Sequence, residues 1–204
     1  MNNITEAFTN IYDNNLWGGV IGGRGSGPGS SPENNLEYTC LLIDTILKNQ
    51  IRTVLDYGCG DWQFSKFIPW ATLVDSYTGV DVVSSVISTN QQYATDTVKF
   101  ILNDETWQWP AVDLIICKDV LQHLPNAIVS TVLNDMRRHS KMILTTNDIA
   151  STIFETEMNC DCSAGGWRLL DLTLPPWNLN ADNLGTIVYS DSFTKQVLLI
   201  KNDN

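Results

Sequence analysis

The sequence of 204 residues predicts an α/β fold: a doubly wound sheet of seven strands, mostly parallel, ending in an antiparallel hairpin. Three observations carry this. Short, near-continuous apolar runs alternate with helical patterns between residues 53 and 146, as expected of parallel strands covered on both faces. The last two strand patterns, 186–190 and 196–201, are separated only by residues 191–195, a hairpin spacing. An apolar content of 43%, with seven Trp, six Tyr and six Phe, supplies one sizeable core.

The elements follow in order. Residues 1–35 form an N-terminal segment, with a short helix near 4–12, then Leu16-Trp17, then a Gly/Ser-rich stretch over 18–31. Such a stretch is either a lid that closes over a ligand or a disordered end. Residues 36–204 form the α/β domain proper. It begins in an amphipathic helix over 34–50, with Leu36, Cys40, Ile43 and Leu47 at helical spacing as its apolar face. Strands are predicted at 53–56, 76–81, 98–102, 112–118 and 141–146, with helices at 62–68, 83–93 and 127–138 between them. In open sheets of this kind ligands sit beyond the carboxyl ends of the strands, so the residues just after each strand are the ones to read for chemistry.

Charge narrows the partners. Twelve Lys+Arg against 23 Asp+Glu give −11, an acidic surface that repels phosphate backbones and argues against a nucleic acid substrate. A neutral or cationic small acceptor is easier to accommodate. Five scattered cysteines suit a reducing compartment, and Cys160-Asp161-Cys162 has no second Cys/His pair at zinc spacing, so no metal is expected there. A polar N-terminus without signal-peptide character, and the lack of an apolar run near 20 residues, lead to the expectation of a cytoplasmic protein without a membrane span.

Thr53-Val54-Leu55-Asp56-Tyr57-Gly58-Cys59-Gly60-Asp61 reads as a buried strand that ends in an acid and then a Gly-x-Gly turn. Glycines there permit positive φ and close backbone approach to a ligand, with a helix N-terminus expected to follow. A nicotinamide dinucleotide site would need a third glycine, and position 63 is Gln. A carboxylate beside the turn suits a nucleoside bearing an amine or ammonium group. The second strand ends at Asp81, where a carboxylate can accept both hydroxyls of a ribose. The third runs into Asn103-Asp104-Glu105, where Asp104 can accept from an adenine amino group. Each acid alone also reads as an ordinary polar turn; three after three successive strands make the stronger signal.

The chain resembles the class I S-adenosylmethionine-dependent methyltransferases, with their Rossmann-like sheet, over roughly residues 36–201. The likeness rests on Val54 to Asp61, on Tyr77-Thr78-Gly79-Val80-Asp81, on Val112 to Pro125 and on the terminal hairpin. It implies S-adenosyl-L-methionine as cofactor, with Gly58 to Gly60 against the methionine moiety, Asp81 on the ribose and Asp104 near the adenine. The full contact set it implies is Asp56, Gly58, Cys59, Gly60, Trp62, Asp81, Val82, Asp104, Glu105 and Lys118, joined by Ser26 and Gly27 from the N-terminal loop. Within the family the chain is most similar to sugar O-methyltransferases. Trp17, Gly25 to Ser30, and Gly165 to Leu172 followed by Pro175-Pro176-Trp177 carry that likeness, which implies a deoxyhexose acceptor such as rhamnose and work alongside glycosyltransferases.

Transfer to a hydroxyl requires a base. Lys118 and Asp119 follow the fourth strand, and Asp119 and His123 are four residues apart, on one face of a helical turn. Either Asp119 orients His123 as base, or Asp119 is itself the base, or Asp119 caps a helix while His123 packs against the cofactor. Asn147 and Asp148, at the end of the fifth strand, are candidates for an acceptor hydroxyl or, with Asp119, for a divalent ion; the alternative is a plain turn. Trp17, Trp167, Arg168 and Asp171 complete the acceptor candidates, because indole faces stack on sugar rings while Arg and Asp bond hydroxyls. The other reading of 159–177 is a packed connection over one sheet edge.

Overall fold

The computed structural model describes residues 2–18, 25–150, 158–190 and 193–202. Strands β1 (Thr53–Tyr57), β2 (Ser76–Asp81), β3 (Val98–Leu102), β4 (Val112–Cys117), β5 (Ser140–Ala150), β6 (Asp182–Ser190) and β7 (Phe193–Lys201) form one sheet in the order β3-β2-β1-β4-β5-β7-β6. β1 with β2, β2 with β3 and β4 with β5 are parallel, whereas β7 runs antiparallel to both β5 and β6. The doubly wound sheet with its terminal hairpin is therefore as the sequence predicts. The chain divides into two compact units, Met1–Trp109 and Pro110–Asn204.

In the first unit, helix α1 (Asn2–Asp13) precedes helix α2 (Leu36–Lys48). The buried face of α2 is Tyr38, Leu42, Thr45 and Ile46, while Leu36 and Leu47 are 68% and 62% exposed and Cys40 is exposed. The helix stands where the sequence puts it but turned to a different face. Both Leu36–Leu47 and Tyr38–Ile46 fit a helical stripe, and the larger ring of Tyr38 takes the core. Residues 62–68 do not form an α-helix. They make turns and one 3-10 turn, Ser65–Phe67, before the short helix α3 (Trp70–Leu73). Pro69 forces Ile68 into extended backbone, and Trp62 sits at φ 57°, so no helix can run through this stretch. Helix α4 (Ser84–Asn90) closes in a 3-10 turn, Gln91–Tyr93.

In the second unit, helix α5 (Asn126–His139) starts after Pro125 and buries Val129, Val132, Leu133 and Met136, one continuous stripe. β5 is eleven residues long and outruns its predicted end at 146, because β7 pairs with it from Met142 opposite Lys201 to Ala150 opposite Phe193. Asn147 and Asp148 are consequently strand residues. Thr194 and Lys195, expected in the hairpin turn, also belong to a strand; residues 191 and 192 of that turn lie outside the described residues, as do 19–24 of the Gly/Ser stretch. Beyond β5 the chain returns along it: Leu170 exchanges both backbone hydrogen bonds with Asp148. Among the described residues no helix is long and apolar enough to cross a membrane.

Candidate active site

The first unit presents the glycine turn. The amides of Gly58 and Cys59 both donate to the carbonyl of Val80, at 2.8 and 3.0 Å, which pins the turn to the end of β2. Gly58 and Gly60 sit at φ 75° and 55°, and a Cβ on Gly60 would lie 2.6 Å from Ser26 Oγ. The left-handed conformation and the nearby hydroxyl both favour glycine at that position. Asp81 completes the hold: its carboxylate accepts from the amides of Gly60 (3.1 Å) and Val83 (3.0 Å). Asn90, fully buried on α4, donates to the Gly60 carbonyl at 2.8 Å. No α-helix begins immediately after the turn, so its amides are organised by the Val80 carbonyl and the Asp81 carboxylate and not by a helix terminus.

Burial pushes Asp81 up to about 6, although the Val83 and Gly60 amides pull the other way. The ionised carboxylate is under-solvated, and each of its oxygens has a further lone pair for a donor. Burial, with Asp81 and Asp56 nearby, also raises Cys59, which keeps its thiol protonated. Val82, next along the chain, is half-buried.

The other donor-site candidates divide. Asp56, buried at the end of β1, accepts a 2.5 Å hydrogen bond from Tyr77, whose hydroxyl in turn accepts from the Trp62 indole at 2.8 Å. Trp62 is thus a core residue packed against Tyr77, Tyr93 and Phe100. Asp104 and Glu105 are exposed, and the Asp104 carboxyl is held below its ordinary range by the hydroxyl and amide of Thr106. Near them the ring of Tyr57 stacks on Trp109 at 5.0 Å, and Trp109 in turn meets Trp107.

From the N-terminal segment, Ser26 Oγ accepts from the Asp61 amide at 3.1 Å and shares a 2.6 Å hydrogen bond with the Tyr12 hydroxyl. Burial and Asp81 raise Tyr12 well above its ordinary value. Gly27 sits at φ 75° with Trp17 beside it, and Trp17 packs edge-on to Phe8 and Tyr12. A cavity of about 310 Å³ opens where Tyr12, Asp13 and Asn15 face Ser85, Val86 and Thr89 of α4.

The second unit brings together Lys118, Asp119, His123, Thr146, Asp148, Trp167 and Lys195. Asp119 lies at φ 57° and is held there by Thr146, whose hydroxyl accepts the Asp119 amide (3.0 Å) and donates to its carboxylate (3.1 Å). Its carboxylate also meets Lys118 at 2.5 Å and Lys195 at 2.6 Å. Burial disfavours the charge on Asp119, but the two ammonium groups overcome it and hold the carboxyl well below its ordinary range. Burial lowers Lys118, with Asp119 opposing. Burial also works against Lys195, yet Asp119 and Asp148 push it above its ordinary value.

His123 lies on a 3-10 turn, Leu121–His123, so Asp119 and His123 are not on one helical face, and Asp119 directs its oxygens to Lys118, Lys195 and Thr146. The orienting group for His123 is the Gly166 carbonyl, 2.6 Å from Nδ1. A carbonyl only accepts, so the proton is on Nδ1 and Nε2 is the basic nitrogen. Burial keeps the ring neutral by lowering it from its ordinary value, while the Gly166 contact opposes.

Three acceptor candidates turn out to be structural ties. Asn147 is fully buried, donates to Asp171 (2.8 Å) and Gln196 (3.2 Å), and accepts from the Leu172 amide (2.9 Å). Asp171 also accepts from the amide and hydroxyl of Thr173. Arg168, 5% exposed, donates to the carbonyls of Leu124 (2.6 Å) and Leu121 (3.3 Å). Trp167 differs: it is 49% exposed, and its indole nitrogen donates to Asp148 at 3.0 Å, which fixes the ring against β5. The oxygen set for a divalent ion is also changed, because the Asn147 oxygen is taken by Leu172 and Lys195 stands between Asp119 and Asp148.

The contacts made by Lys195, Thr146, Gly166, Tyr77, Tyr12 and Asn90 are not legible in the sequence, although Tyr77 and Gly166 lie within the motifs quoted above. Lys195 had one readable signal, a lysine leading into an apolar run; the others act through distant partners.

No family model matches this chain, and no curated protein sequence matches it. Solved structures do. Magnesium protoporphyrin IX methyltransferase (ChlM) from Synechocystis PCC 6803 with bound S-adenosylmethionine superposes with a TM-score of 0.66 at 15% identity, over 98% of this chain and 95% of that one. The N-terminal domain of EvdMO1, with S-adenosylhomocysteine bound, gives 0.59 at 13% identity over 82% and 80%. The methyltransferase domain of bacterial CtHen1-C gives 0.61 at 10% identity over 84% and 100%. The chain has the fold of the class I S-adenosylmethionine-dependent methyltransferases.

Proposed function

We propose that the chain is an S-adenosylmethionine-dependent O-methyltransferase whose acceptor is a carbohydrate hydroxyl, a deoxyhexose such as rhamnose in a glycan or glycoconjugate. The observation that carries the transfer to oxygen is His123: neutral, with its proton on Nδ1 toward Gly166 and its basic Nε2 suited to take a hydroxyl proton. The donor fits the first unit. Asp81 is a buried carboxylate that gains from two further hydrogen bonds, the number a ribose diol offers, and it stands against a turn whose conformation and space favour glycine. When bound, S-adenosylmethionine supplies an electrophilic methyl on a sulfonium and departs as S-adenosylhomocysteine.

The residues then divide the work. Gly58, Cys59 and Gly60 with Asp56 and Val82 receive the methionine side, Asp81 the ribose, and Asp104 with Glu105 the adenine edge. Ser26 and Gly27, latched to Tyr12, belong to the N-terminal segment as a lid. Trp167 offers its half-exposed ring to the apolar face of the sugar, and Trp17 is the second aromatic candidate. Lys118 and Asp119 set the charge around the base. The N-terminal domain of EvdMO1 has also been solved in the presence of S-adenosylhomocysteine and D-fucose, a deoxyhexose, which is in keeping with a sugar acceptor here. Action alongside glycosyltransferases is the wider setting this reading implies.

The test is incubation with labelled S-adenosylmethionine and a panel of nucleotide sugars, oligosaccharides, other hydroxyl compounds and amines, read by mass. Label on a deoxyhexose oxygen is the expected result. Label confined to an amine or to a non-sugar hydroxyl would overturn the acceptor while keeping the donor.

A further inference from the structure

One cluster in the second unit is unexplained by acid–base work alone. Lys195 Nζ lies 2.6 Å from Asp119 Oδ1 and 2.6 Å from Asp148 Oδ1, with the lysine side chain only 13% exposed. Asp148 and Lys195 are directly opposed in the pairing of β5 with β7, so the backbone register itself delivers the ammonium. Thr146 Oγ1 supports Asp119 by donating to its carboxylate. Two carboxylates converging on one ammonium are hard-oxygen donors of the kind a divalent ion takes, with waters. Here the cation is part of the chain.

We propose that the Lys195 ammonium is a built-in replacement for a divalent cation, which fixes Asp119 and Asp148 so that the acceptor site is assembled without metal. Charge supports this. Among the described residues Lys118 and Lys195 face Asp119 and Asp148, and removing Lys195 takes a positive charge away from two carboxylates withdrawn from water. The depressed Asp119 and elevated Lys195 agree in direction with a mutually stabilised set. Lys195 is thus a positioning residue: through Asp148 it fixes the Trp167 indole, and through Asp119 it shares the charge of Lys118. The effect on turnover rests on the methyltransferase reading, whereas the ion preference of the cluster does not.

The experiment is calorimetric titration of manganese chloride alone into wild type, Lys195→Ala and Lys195→Arg. Lys195→Ala should bind Mn2+ at least about ten-fold more tightly than wild type, because two carboxylates regain a divalent partner. Lys195→Arg keeps the charge and should behave as wild type. If Lys195→Ala is recovered unfolded, its refolding is titrated with Mn2+ and followed by circular dichroism; recovery of the fold with added ion supports the proposal. Folded Lys195→Ala that ignores Mn2+, unfolded Lys195→Ala that no Mn2+ concentration restores, or wild type that binds the ion equally well overturns it. In active preparations, Lys195→Ala should lose kcat on the acceptor, keep its affinity for S-adenosylmethionine, and recover turnover with Mn2+. Wild-type turnover should be indifferent to chelator. If no variant or wild type turns over but the Mn2+ contrast stands, the functional reading fails and the cation replacement survives.

Discussion

At the scale of single residues, Asp81 is under tension between burial and hydrogen bonding. Its folded-state value, about 6, lies above its ordinary 3.8. An acid raised in this way is protonated in the fold and ionised in the unfolded chain between those values. Its contribution to stability is therefore best below about pH 4 and worsens as pH rises to 6, by roughly 3 kcal/mol in all. Hydroxyl donors on a bound ribose favour the ionised form, so the affinity for S-adenosylmethionine should fall as pH drops below about 6, with uptake of the ligand releasing a proton. Calorimetry in two buffers of different ionisation enthalpy at pH 6 measures that proton; its absence would contradict the ribose role. His123 makes the complementary prediction. His123→Ala should bind the donor normally while turnover drops by about a hundred-fold or more. Because burial lowers His123, the acid limb of kcat against pH should lie below the ordinary histidine range; near-wild-type turnover of the variant would remove it as base.

At the scale of elements, α2 separates what a sequence shows from what it leaves open. Leu42 is 1% exposed and Leu47 is 62% exposed. Leu42→Ala should cost about 2–5 kcal/mol in denaturant unfolding, and Leu47→Ala less than about 0.5 kcal/mol. The reverse order would assign the buried face to the Leu36–Leu47 stripe instead.

Strands β2, β3 and β4 were legible nearly to the residue, because short apolar runs between turn residues leave few alternatives. Residues 62–68 were not, since a helical pattern is overridden when Pro69 fixes its end and Trp62 is drawn into the core. Of the candidate site, the Gly58–Gly60 turn and the acid that closes β2 are readable from local spacing. The roles of Lys195, Gly166 and Thr146 are not, because each depends on pairing between segments far apart in the chain. Arg168 shows the same limit: the composition suggests a sugar ligand, but the fold spends its guanidinium on Leu121 and Leu124. Arg168→Ala should accordingly destabilise the fold by about 1–3 kcal/mol in thermal unfolding while leaving donor affinity unchanged. Lost donor binding at full stability would count against the scaffold role.

At the scale of the whole molecule, the seven-stranded order β3-β2-β1-β4-β5-β7-β6 and the net charge of −11 set the chemistry together. On the proposed reading, the loops at the strand ends receive a nucleoside donor, and the net negative charge favours a neutral or cationic acceptor over a polyanion. If the glycine turn and Asp81 bind S-adenosylmethionine, calorimetric titration of the donor into wild type and Asp81→Ala, with NADH titrated in parallel, should resolve it. Saturable binding of one S-adenosylmethionine per chain, a large loss of that affinity in folded Asp81→Ala, and no heat from NADH are the expected results. Undiminished affinity in folded Asp81→Ala, or binding of NADH in place of S-adenosylmethionine, would contradict that binding role.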